Sequence, residues 1–358
     1  MITGNKGEWS EIYTLFKLLA DKQVYAGNGN LNRVDDLFYP ILKIIREEEN
    51  VYDYTIASGD IVIISTANEE LLRIPISEFK NQADSLFHTI KTGKGAFTST
   101  QTASFMQSVY CSRLKAKSSD KTDIKIVIHD LRTGICPTLG FSIKSKMGNP
   151  STLINASGAT NFCYRVTGTK LTPQQLTEIN GIDTRSKIKD RIAKIKELGA
   201  TLSYVGIDSS IFYNNLVLID SSLPLIVSQM LLMYFSGMGT RVSDLSKQLQ
   251  DKNPLDYELQ HKHQFYEYKI KRLLSDAALG MKPATVWSGT FEANGGYLVV
   301  KEDGDVLCYH IYNRNDFEDY LLNTSFMDTP SSSRHGFGTI EEKEGEQFLK
   351  LNIQVRFL

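Results

Sequence analysis

The chain has 358 residues, of which 41% are hydrophobic and 23% charged, proportions typical of a globular protein with a buried core. Its 40 Lys and Arg residues against 41 Asp and Glu leave a formal net charge of −1, which argues against a protein that coats nucleic acid without sequence preference. The cysteines are far apart and form no CxxC pair, so we expect free thiols in a reducing cytoplasm and no structural zinc site.

The sequence predicts neither an export signal nor a membrane-spanning segment. Charged residues such as Lys6, Glu8 and Lys17 near the N-terminus argue against a signal peptide. The longest apolar run covers 223–235, well short of the roughly 20 residues that a spanning helix needs. We therefore expect a cytoplasmic protein with no membrane partner.

The first half of the chain predicts a mixture of helices and strands. Trp9, Ile12 and Phe16 recur at helical spacing and predict a helix over 7–19. Apolar residues at similar spacing predict a second helix over 30–49, kinked or divided by its proline. The further predicted elements are strands at 53–57, 60–65 and 71–76, helices at 77–91 and 104–114, and strands at 123–128, 139–146 and 161–166.

The second half predicts helices followed by a return to strands. The predicted helices are 185–198, 223–235 and 261–279, and the predicted strands are 200–207, 297–301, 306–312 and 348–356. The mixture indicates one integrated α/β body. We divide it into three regions: 1–170, a mostly helical region 171–285, and a β-rich region 286–358.

The clearest hairpin of the sequence lies within 122–146. Its first strand opens on Asp123, and its second strand places Ser142, Lys144 and Lys146 on one face. A lysine inside a half-apolar strand is costly to bury unless it meets a carboxylate, a phosphate or a metal-bound water. An exposed hairpin with a solvated lysine face is the alternative interpretation.

An acid at the head of one strand and a lysine on the next is the arrangement of the PD-(D/E)xK nucleases. In these enzymes the acids hold Mg²⁺ and the lysine orients or deprotonates the attacking water. Ser142 stands where the second acid belongs, so another carboxylate is needed. Glu8 and Glu11 share one face of the first helix and are candidates. Alternatively, both acids only favour the start of that helix through its dipole.

Several longer motifs follow one another along the chain. They are TGNKGEWSE at 3–11, HD at 129–130, GFSIKS at 140–145, TLINAS and TNF within 152–162, TPSSSRH at 329–335 and LNIQVRF at 351–357. In these motifs and their order the chain resembles the HpaII-type restriction endonucleases over essentially its whole length. The resemblance implies an α/β fold with a PD-(D/E)xK restriction-endonuclease-like core, a mixed β-sheet flanked by helices, within 1–170. Helical additions and a C-terminal β-rich region with a DNA-contacting loop would follow.

The resemblance also implies an activity. The expected enzyme is a Mg²⁺-dependent type II endonuclease that cuts duplex DNA within CCGG and leaves 5′ overhangs. A palindromic target favours a homodimer on the DNA dyad, although a monomer that nicks each strand in turn is the alternative. The functional counterpart would be a CCGG-specific DNA methyltransferase.

Position by position, the resemblance assigns the catalytic residues. Asp123 takes the aspartate position, Ser142 the degenerate acid position and Lys144 the lysine position. Glu8 or Glu11 supplies the missing acid, with Asp130 as an alternative from the far end of the hairpin. The expected metal-binding set is Asp123, Glu8 and Ile143, and Mg²⁺ is the expected cofactor.

A protein that reads CCGG needs donors for guanine N7 and O6 and acceptors for the cytosine amino group. The polar loop 331–336 offers Arg334 for guanine and Ser331, Ser333 and His335 for bases or phosphates, unless it is a plain surface turn. The other DNA-binding candidates are Arg113, Lys115, Lys117, Lys146, Asn149, Asn155 and Asn161. The asparagines are equally well explained as turn and cap residues.

Two further points stay open in the sequence. The basic face of the helix 185–198 is either solvated or in contact with phosphates. Because Ser142 replaces an acid, a noncatalytic DNA-binding protein on a decayed nuclease fold is the alternative to an endonuclease.

Overall fold

The computed structural model describes residues 2–115, 122–131 and 133–358. The strands, in chain order, are β1 (Thr3–Gly4), β2 (Gln23–Gly27), β3 (Arg33–Glu47), β4 (Val51–Ala57), β5 (Ile61–Thr66), β6 (Glu69–Pro75), β7 (Phe97–Thr98), β8 (Ile124–Ile128), β9 (Thr138–Ser145), β10 (Thr152–Ile154), β11 (Asn161–Gly168), β12 (Ala200–Ile207), β13 (Gly296–Val300), β14 (Val306–His310), β15 (Ser325–Met327), β16 (Ile340–Lys343), β17 (Glu346–Asn352) and β18 (Val355–Phe357). The helices are α1 (Lys6–Asp21), α2 (Ile76–Thr92), α3 (Thr100–Ser108), α4 (Pro173–Gly181), α5 (Lys187–Glu197), α6 (Ser210–Ile219), α7 (Leu223–Phe235), α8 (Val242–Lys252), α9 (Phe265–Leu279), α10 (Arg314–Thr324) and α11 (Ser332–His335).

The chain forms two compact units, each assembled from two separate segments. Unit 1 consists of Met1–Ser151 and Phe291–Tyr320, and unit 2 consists of Thr152–Thr290 and Leu321–Leu358. The sequence predicts region boundaries after 170 and 285, whereas the units divide the chain after 151, 290 and 320. The mixed α/β fold class is confirmed.

Unit 1 is built on a mixed sheet that has nine strands among the described residues, in the order β2-β14-β13-β9-β8-β3-β4-β5-β6. The long strand β3 also pairs with β2, so the hydrogen-bonding order returns from β3 to β2. Strand β9 has antiparallel β8 on one side and parallel β13 on the other. The predicted hairpin is therefore confirmed, and it lies inside the sheet with neighbours on both sides.

Helix α1 packs on this sheet and confirms the first predicted helix. Its apolar face, which includes Trp9, Ile12 and Phe16, is fully buried in the core of unit 1. The Ser10 hydroxyl on the same helix lies 2.8 Å from Ser145 Oγ at the end of β9. This contact fixes α1 against the second strand of the hairpin.

The helix predicted over 30–49 is wrong, because the segment forms strand β3 instead. Tyr39 and Ile41 point into the core two residues apart, as strand residues do. The pairing of β3 with β8 then shifts between Ile41 and Lys43, so the next buried side chain is Ile44. This irregularity places apolar residues three apart, a spacing that resembles a helix in the sequence.

Unit 2 contains two smaller antiparallel sheets and most of the helices. The sheet orders are β12-β11-β17-β16 and β10-β18-β15. Helix α5 buries Ile188, Ile192 and Ile195, which confirms the amphipathic pattern of the basic segment. Its lysines therefore lie on the opposite, polar face.

No helix in the described part of the chain is by itself long and apolar enough to cross a membrane. The consecutive helices α6 and α7 reach the required length and composition together, but they are bent by 109° at the break between them.

Candidate active site

The hairpin of β8 and β9 brings Asp123, Ser142 and Lys144 together. Ile124 pairs with Phe141, which places Asp123 beside Ser142 on the neighbouring strand. The Asp123 carboxylate accepts a hydrogen bond from Ser142 Oγ at 3.0 Å and another from the Ile143 amide at 2.6 Å. Lys144 Nζ donates to Ser142 Oγ at 3.0 Å. The three side chains thus form one hydrogen-bonded row.

The surroundings of Lys144 differ from a solvated lysine face. Strand β9 is buried from Leu139 to Ile143, and only 3% of Ser142 is exposed. The ammonium group of Lys144 lies 5.0 Å from the centre of the buried Tyr297 ring, on the parallel neighbour β13. Burial lowers the pKa of Lys144, while the charges of Asp123 and Glu11 oppose this shift. Lys144 is therefore half-buried, and the charges of two carboxylates act on its ammonium group.

The two acids of helix α1 have different surroundings. Glu8 and Asn5 form a capping box, in which the Glu8 carboxylate accepts from the Asn5 amide at 2.7 Å and Asn5 Oδ1 accepts from the Glu8 amide at 3.1 Å. Glu8 also pairs with Lys115 at 3.0 Å. The Asn5 amide and Lys115 hold the pKa of Glu8 below its usual value. Glu11, by contrast, acts electrostatically on Lys144. Because Glu8 is engaged by the Asn5 amide and Lys115, while Glu11 acts on Lys144, Glu11 is the better candidate for a second acidic group at the row.

We expect Glu11→Gln to slow DNA cleavage by at least about 100-fold, because a carboxylate that would hold the cation facing the reacting phosphate is lost. Glu8→Gln keeps an oxygen for the Asn5 amide, so it should lower stability by only about 0.3–1 kcal/mol and leave cleavage within tenfold of the wild-type rate. Cleavage rates under single-turnover conditions and thermal unfolding of both variants test this pair. An inactive Glu8→Gln beside an active Glu11→Gln would reverse the assignment.

The donor set at this row suits a small hard cation. Within the described ranges no group of three or more His, Cys, Asp or Glu side chains comes together. Asp123 and Glu11 supply two carboxylates, and Ile143 can contribute only its main-chain carbonyl. Mg²⁺ is typically bound through one or two carboxylates and keeps several waters, so these residues fit Mg²⁺ better than a metal that requires a full protein cage.

Asp130 lies at the other end of the hairpin. It is seven residues from Asp123, which corresponds to about 23 Å of extended chain at about 3.3 Å per residue. Its side chain is buried and accepts a hydrogen bond from Thr133 Oγ1 at 2.8 Å, and its carbonyl accepts from the Gly134 amide at 2.8 Å. These contacts organise the turn between β8 and β9, and the structure does not bring Asp130 to the row.

The basic candidates of unit 1 have mixed surroundings. The Arg113 side chain is exposed, while its carbonyl accepts a hydrogen bond from the Arg46 guanidinium. Lys115 is exposed and paired with Glu8, and Lys117 lies outside the described residues. Lys146 is half-buried directly after β9, and Asn149 is exposed in the loop that follows. Within the described part of the chain, Arg113 is therefore the clearest of these candidates for a phosphate contact.

In unit 2 the predicted base-reading loop forms the short helix α11. Ser331 caps it through a hydrogen bond from the Arg334 amide to Ser331 Oγ at 3.4 Å, and Gly336 ends it at a φ of 62°. Ser331, Ser333 and Arg334 are exposed, and His335 is half-buried. Among the described residues, the Arg334 guanidinium has no acidic partner. The loop therefore presents a free arginine on a fixed turn.

Asn161 forms a hydrogen bond with this loop from inside unit 2. Its side chain is buried and donates to the His335 carbonyl at 2.9 Å. Asn352 in turn donates to Asn161 Oδ1 at 2.7 Å and is fully buried. Asn161 thus contacts the loop from inside the unit, whereas Asn155 is exposed. The sequence motifs assign no role to Asn352, although a lone asparagine between the apolar residues Leu351 and Ile353 is a detectable signal.

Sequence comparison decides the family. The chain matches the HpaII restriction endonuclease family over residues 5–357. It belongs to the HpaII family. The type II restriction enzyme HpaII of Haemophilus parainfluenzae is 48% identical to it over 359 residues, which is 99% of each chain. No solved structure matches the chain.

Membership of the HpaII family confirms the resemblance seen in the sequence motifs. It makes the protein a restriction endonuclease, a site-specific nuclease that binds duplex DNA. The match from residue 5 to residue 357 spans both units, so the hydrogen-bonded row in unit 1 and the α11 loop in unit 2 both lie within the HpaII family match.

Proposed function

We propose that this chain is a Mg²⁺-dependent type II endonuclease that hydrolyses duplex DNA within CCGG and leaves 5′ overhangs. The observation that carries the proposal is the row from Lys144 through Ser142 to Asp123, with the charge of Glu11 acting on the same lysine. Phosphodiester hydrolysis develops negative charge on the phosphate oxygens, which a bound cation and a lysine can stabilise. One carboxylate at the head of the strand pair and one on helix α1, beside a lysine, suit this chemistry. The row is a PD-(D/E)xK centre with a serine at the second acid.

In this proposal the residues at the row have separate roles. Asp123 and Glu11 hold Mg²⁺, together with the carbonyl of Ile143. The bound cation supplies positive charge to the phosphate in the transition state. Lys144 orients the attacking water and assists removal of its proton.

Ser142 has a positioning role in this proposal and is not a metal ligand. Its hydroxyl donates to Asp123 and accepts from Lys144, so it fixes the carboxylate and the ammonium group relative to each other. The Ile143 amide adds a second hydrogen bond to the same Asp123 oxygen at 2.6 Å. A carboxylate held by two donors keeps its remaining lone pairs in one direction, which favours binding of a cation.

Recognition of CCGG belongs to unit 2 in this proposal. Arg334 donates to guanine N7 and O6, while Ser331, Ser333 and His335 contact bases or phosphates. The palindromic site favours a homodimer in which each copy reads one half. The protein would act in the bacterial cytoplasm beside a methyltransferase that protects the same CCGG sites.

The experiment that tests the function is digestion of a plasmid with and without Mg²⁺, followed by sequencing of the fragment ends. We expect discrete fragments only with Mg²⁺, each ending within CCGG with a 5′ overhang. Fragments that end at another sequence would contradict the proposed site. A plasmid that is bound and migrates more slowly in a gel, but is not cut, would instead indicate a noncatalytic DNA-binding protein. This is the alternative raised by the serine at the position of the second acid.

We expect Arg334→Ala to weaken binding to a CCGG duplex far more than binding to a scrambled duplex. Loss of a bidentate guanine contact costs about 1–3 kcal/mol of discrimination, and a symmetric dimer would lose two such contacts. Affinities for both duplexes at two salt concentrations measure the effect.

Arg113→Ala provides the control for this prediction, because Arg113 is an exposed candidate for a phosphate contact. It should weaken binding to both duplexes equally and lower the slope of log affinity against log salt by about one unit. Equal losses on both duplexes for Arg334→Ala would remove this arginine from base readout.

A further inference from the structure

Unit 2 contains a cavity of about 390 Å³ that the sequence motifs do not reveal. This volume lies within the range of about 300–1,000 Å³ that is typical of ligand sites. Arg185 lines it just before helix α5, and Lys187 and Lys189 line it in the first turn of that helix. Ser331, the N-cap of α11, and Ser332 and Ser333 in α11 also line it. The residues that line it include no acid.

Two of the three cations that line this cavity have charges that no acid among the described residues neutralises. Arg185 and Lys189 are exposed, and in the described ranges neither has an acidic partner. The Lys189 side chain lies across Gly237, where an added Cβ would come within 2.7 Å of its Nζ. Lys187 pairs with the exposed Asp183 at 2.9 Å, a contact that solvent weakens. The cavity therefore combines at least two free positive charges with hydroxyl donors, which is the chemistry of a phosphate site.

The cavity is also joined to the turn that presents Arg334. Ser331, which lines the cavity, accepts the hydrogen bond from the Arg334 amide and lies 3.3 Å from Ser333 Oγ. Thr329 also lines the cavity, and its hydroxyl contacts Tyr234 at 2.7 Å. A group bound to these hydroxyls would therefore contact the same turn that positions the guanidinium.

We propose that this cavity binds a backbone phosphate of the DNA, held by Arg185, Lys189 and the serine hydroxyls. The inference rests on the proposed function, since it assumes that the α11 loop faces DNA. The bound phosphate carries no base information, but it fixes the register of the loop on the duplex. Removal of one cation should weaken binding to every sequence alike.

The test compares Arg185→Gln and Lys189→Gln with Lys196→Gln in the full chain. Lys196 is exposed near the other end of the same helix and does not line the cavity, so its replacement removes the same charge elsewhere. Affinities are measured for a CCGG duplex and a scrambled duplex over a range of salt concentrations, without Mg²⁺. We expect both cavity variants to lose affinity equally on the two duplexes and to lower the slope of log affinity against log salt by about one unit. Lys196→Gln should leave the slope unchanged.

A second measurement locates the phosphate. Single phosphates of the CCGG duplex are replaced, one at a time, by neutral methylphosphonates. We expect one position at which the replacement weakens the wild type but has little further effect on Arg185→Gln. The inference would be overturned if both cavity variants kept the wild-type salt slope. It would also be overturned if no methylphosphonate position weakened the wild type more than Arg185→Gln.

These outcomes separate the inference from the proposed function. A wild type that neither cuts DNA nor prefers CCGG would contradict the proposed function, whereas the comparison of slopes on any duplex would still decide whether the cavity binds phosphate.

Discussion

Lys144→Ala is expected to slow DNA cleavage by about 10²–10⁴-fold, the usual effect of removing a group that moves a proton in the reaction. Specific binding to CCGG should stay nearly unchanged, because the lysine lies in the proposed catalytic row of unit 1 and the loop proposed to read bases lies in unit 2. The row itself persists in part, since Ser142 still donates to Asp123. Single-turnover cleavage with Mg²⁺ and binding with Ca²⁺ measure the two effects separately.

Lys125→Ala is the matched control for Lys144→Ala. Lys125 lies on the same hairpin, but its ammonium group is exposed and pairs with Glu47 at 2.5 Å. An exposed ion pair contributes at most about 1 kcal/mol, so this variant should cut DNA at nearly the wild-type rate. Turnover by Lys144→Ala within tenfold of the wild-type rate would remove the lysine from the catalytic centre.

Asp123→Asn should reduce cleavage by at least about 10²–10³-fold, because the substitution removes the negative charge while it keeps the size of the side chain. The asparagine oxygen can still accept from the Ile143 amide, so the hairpin should remain folded. We also expect the variant to lose the gain in DNA affinity that a divalent ion gives the wild type. Titration of the CCGG duplex with and without Ca²⁺ measures this gain.

Asp130→Asn is the control that checks the register of the hairpin. Asp130 organises the turn through Thr133 and Gly134, so its substitution should lower stability and leave the chemistry intact. An inactive but folded Asp130→Asn beside an active Asp123→Asn would show that the opposite end of the hairpin carries the metal.

The hairpin was predictable because its two strands show their character locally. The run from Ile124 to Ile128 is β-branched and alternates around the charged Lys125, and the motif at 140–145 fixes the returning strand. The partner β13 was not predictable, because it comes from more than 150 residues later in the chain and pairs in parallel. The burial of Ser142 and the ring beneath Lys144 both depend on that distant strand.

Two other features show why local patterns failed. Strand β3 has helical spacing because a pairing irregularity near Leu42 interrupts the alternation, and that irregularity exists only against β8. The choice between Glu8 and Glu11 depended on the Asn5 cap and on Lys115, which is distant in sequence. Helical periodicity places both acids on one face, but only tertiary contacts distinguish them.

The parts of unit 2 that we propose contact DNA were predictable only as separate residues and segments. The motif at 329–335 led to Arg334, and the basic pattern led to helix α5. The cavity between them follows from the approach of segments that are about 140 residues apart. The contacts of Asn161 were not predictable for the same reason, because its side chain is hydrogen-bonded to Asn352 and to the His335 carbonyl, which both come from distant parts of the chain.

The central claim, that Asp123 and Glu11 hold a divalent cation beside Lys144, is tested most directly by locating the ion without relying on cleavage of DNA. Fe²⁺ is bound in place of Mg²⁺, and ascorbate with peroxide then generates radicals that cut the protein main chain near the ion. We expect cuts beside Glu11, at Asp123 and within 142–144, which excess Mg²⁺ suppresses and Asp123→Asn abolishes. Cuts confined to other segments, or cuts that persist unchanged in Asp123→Asn, would contradict the account.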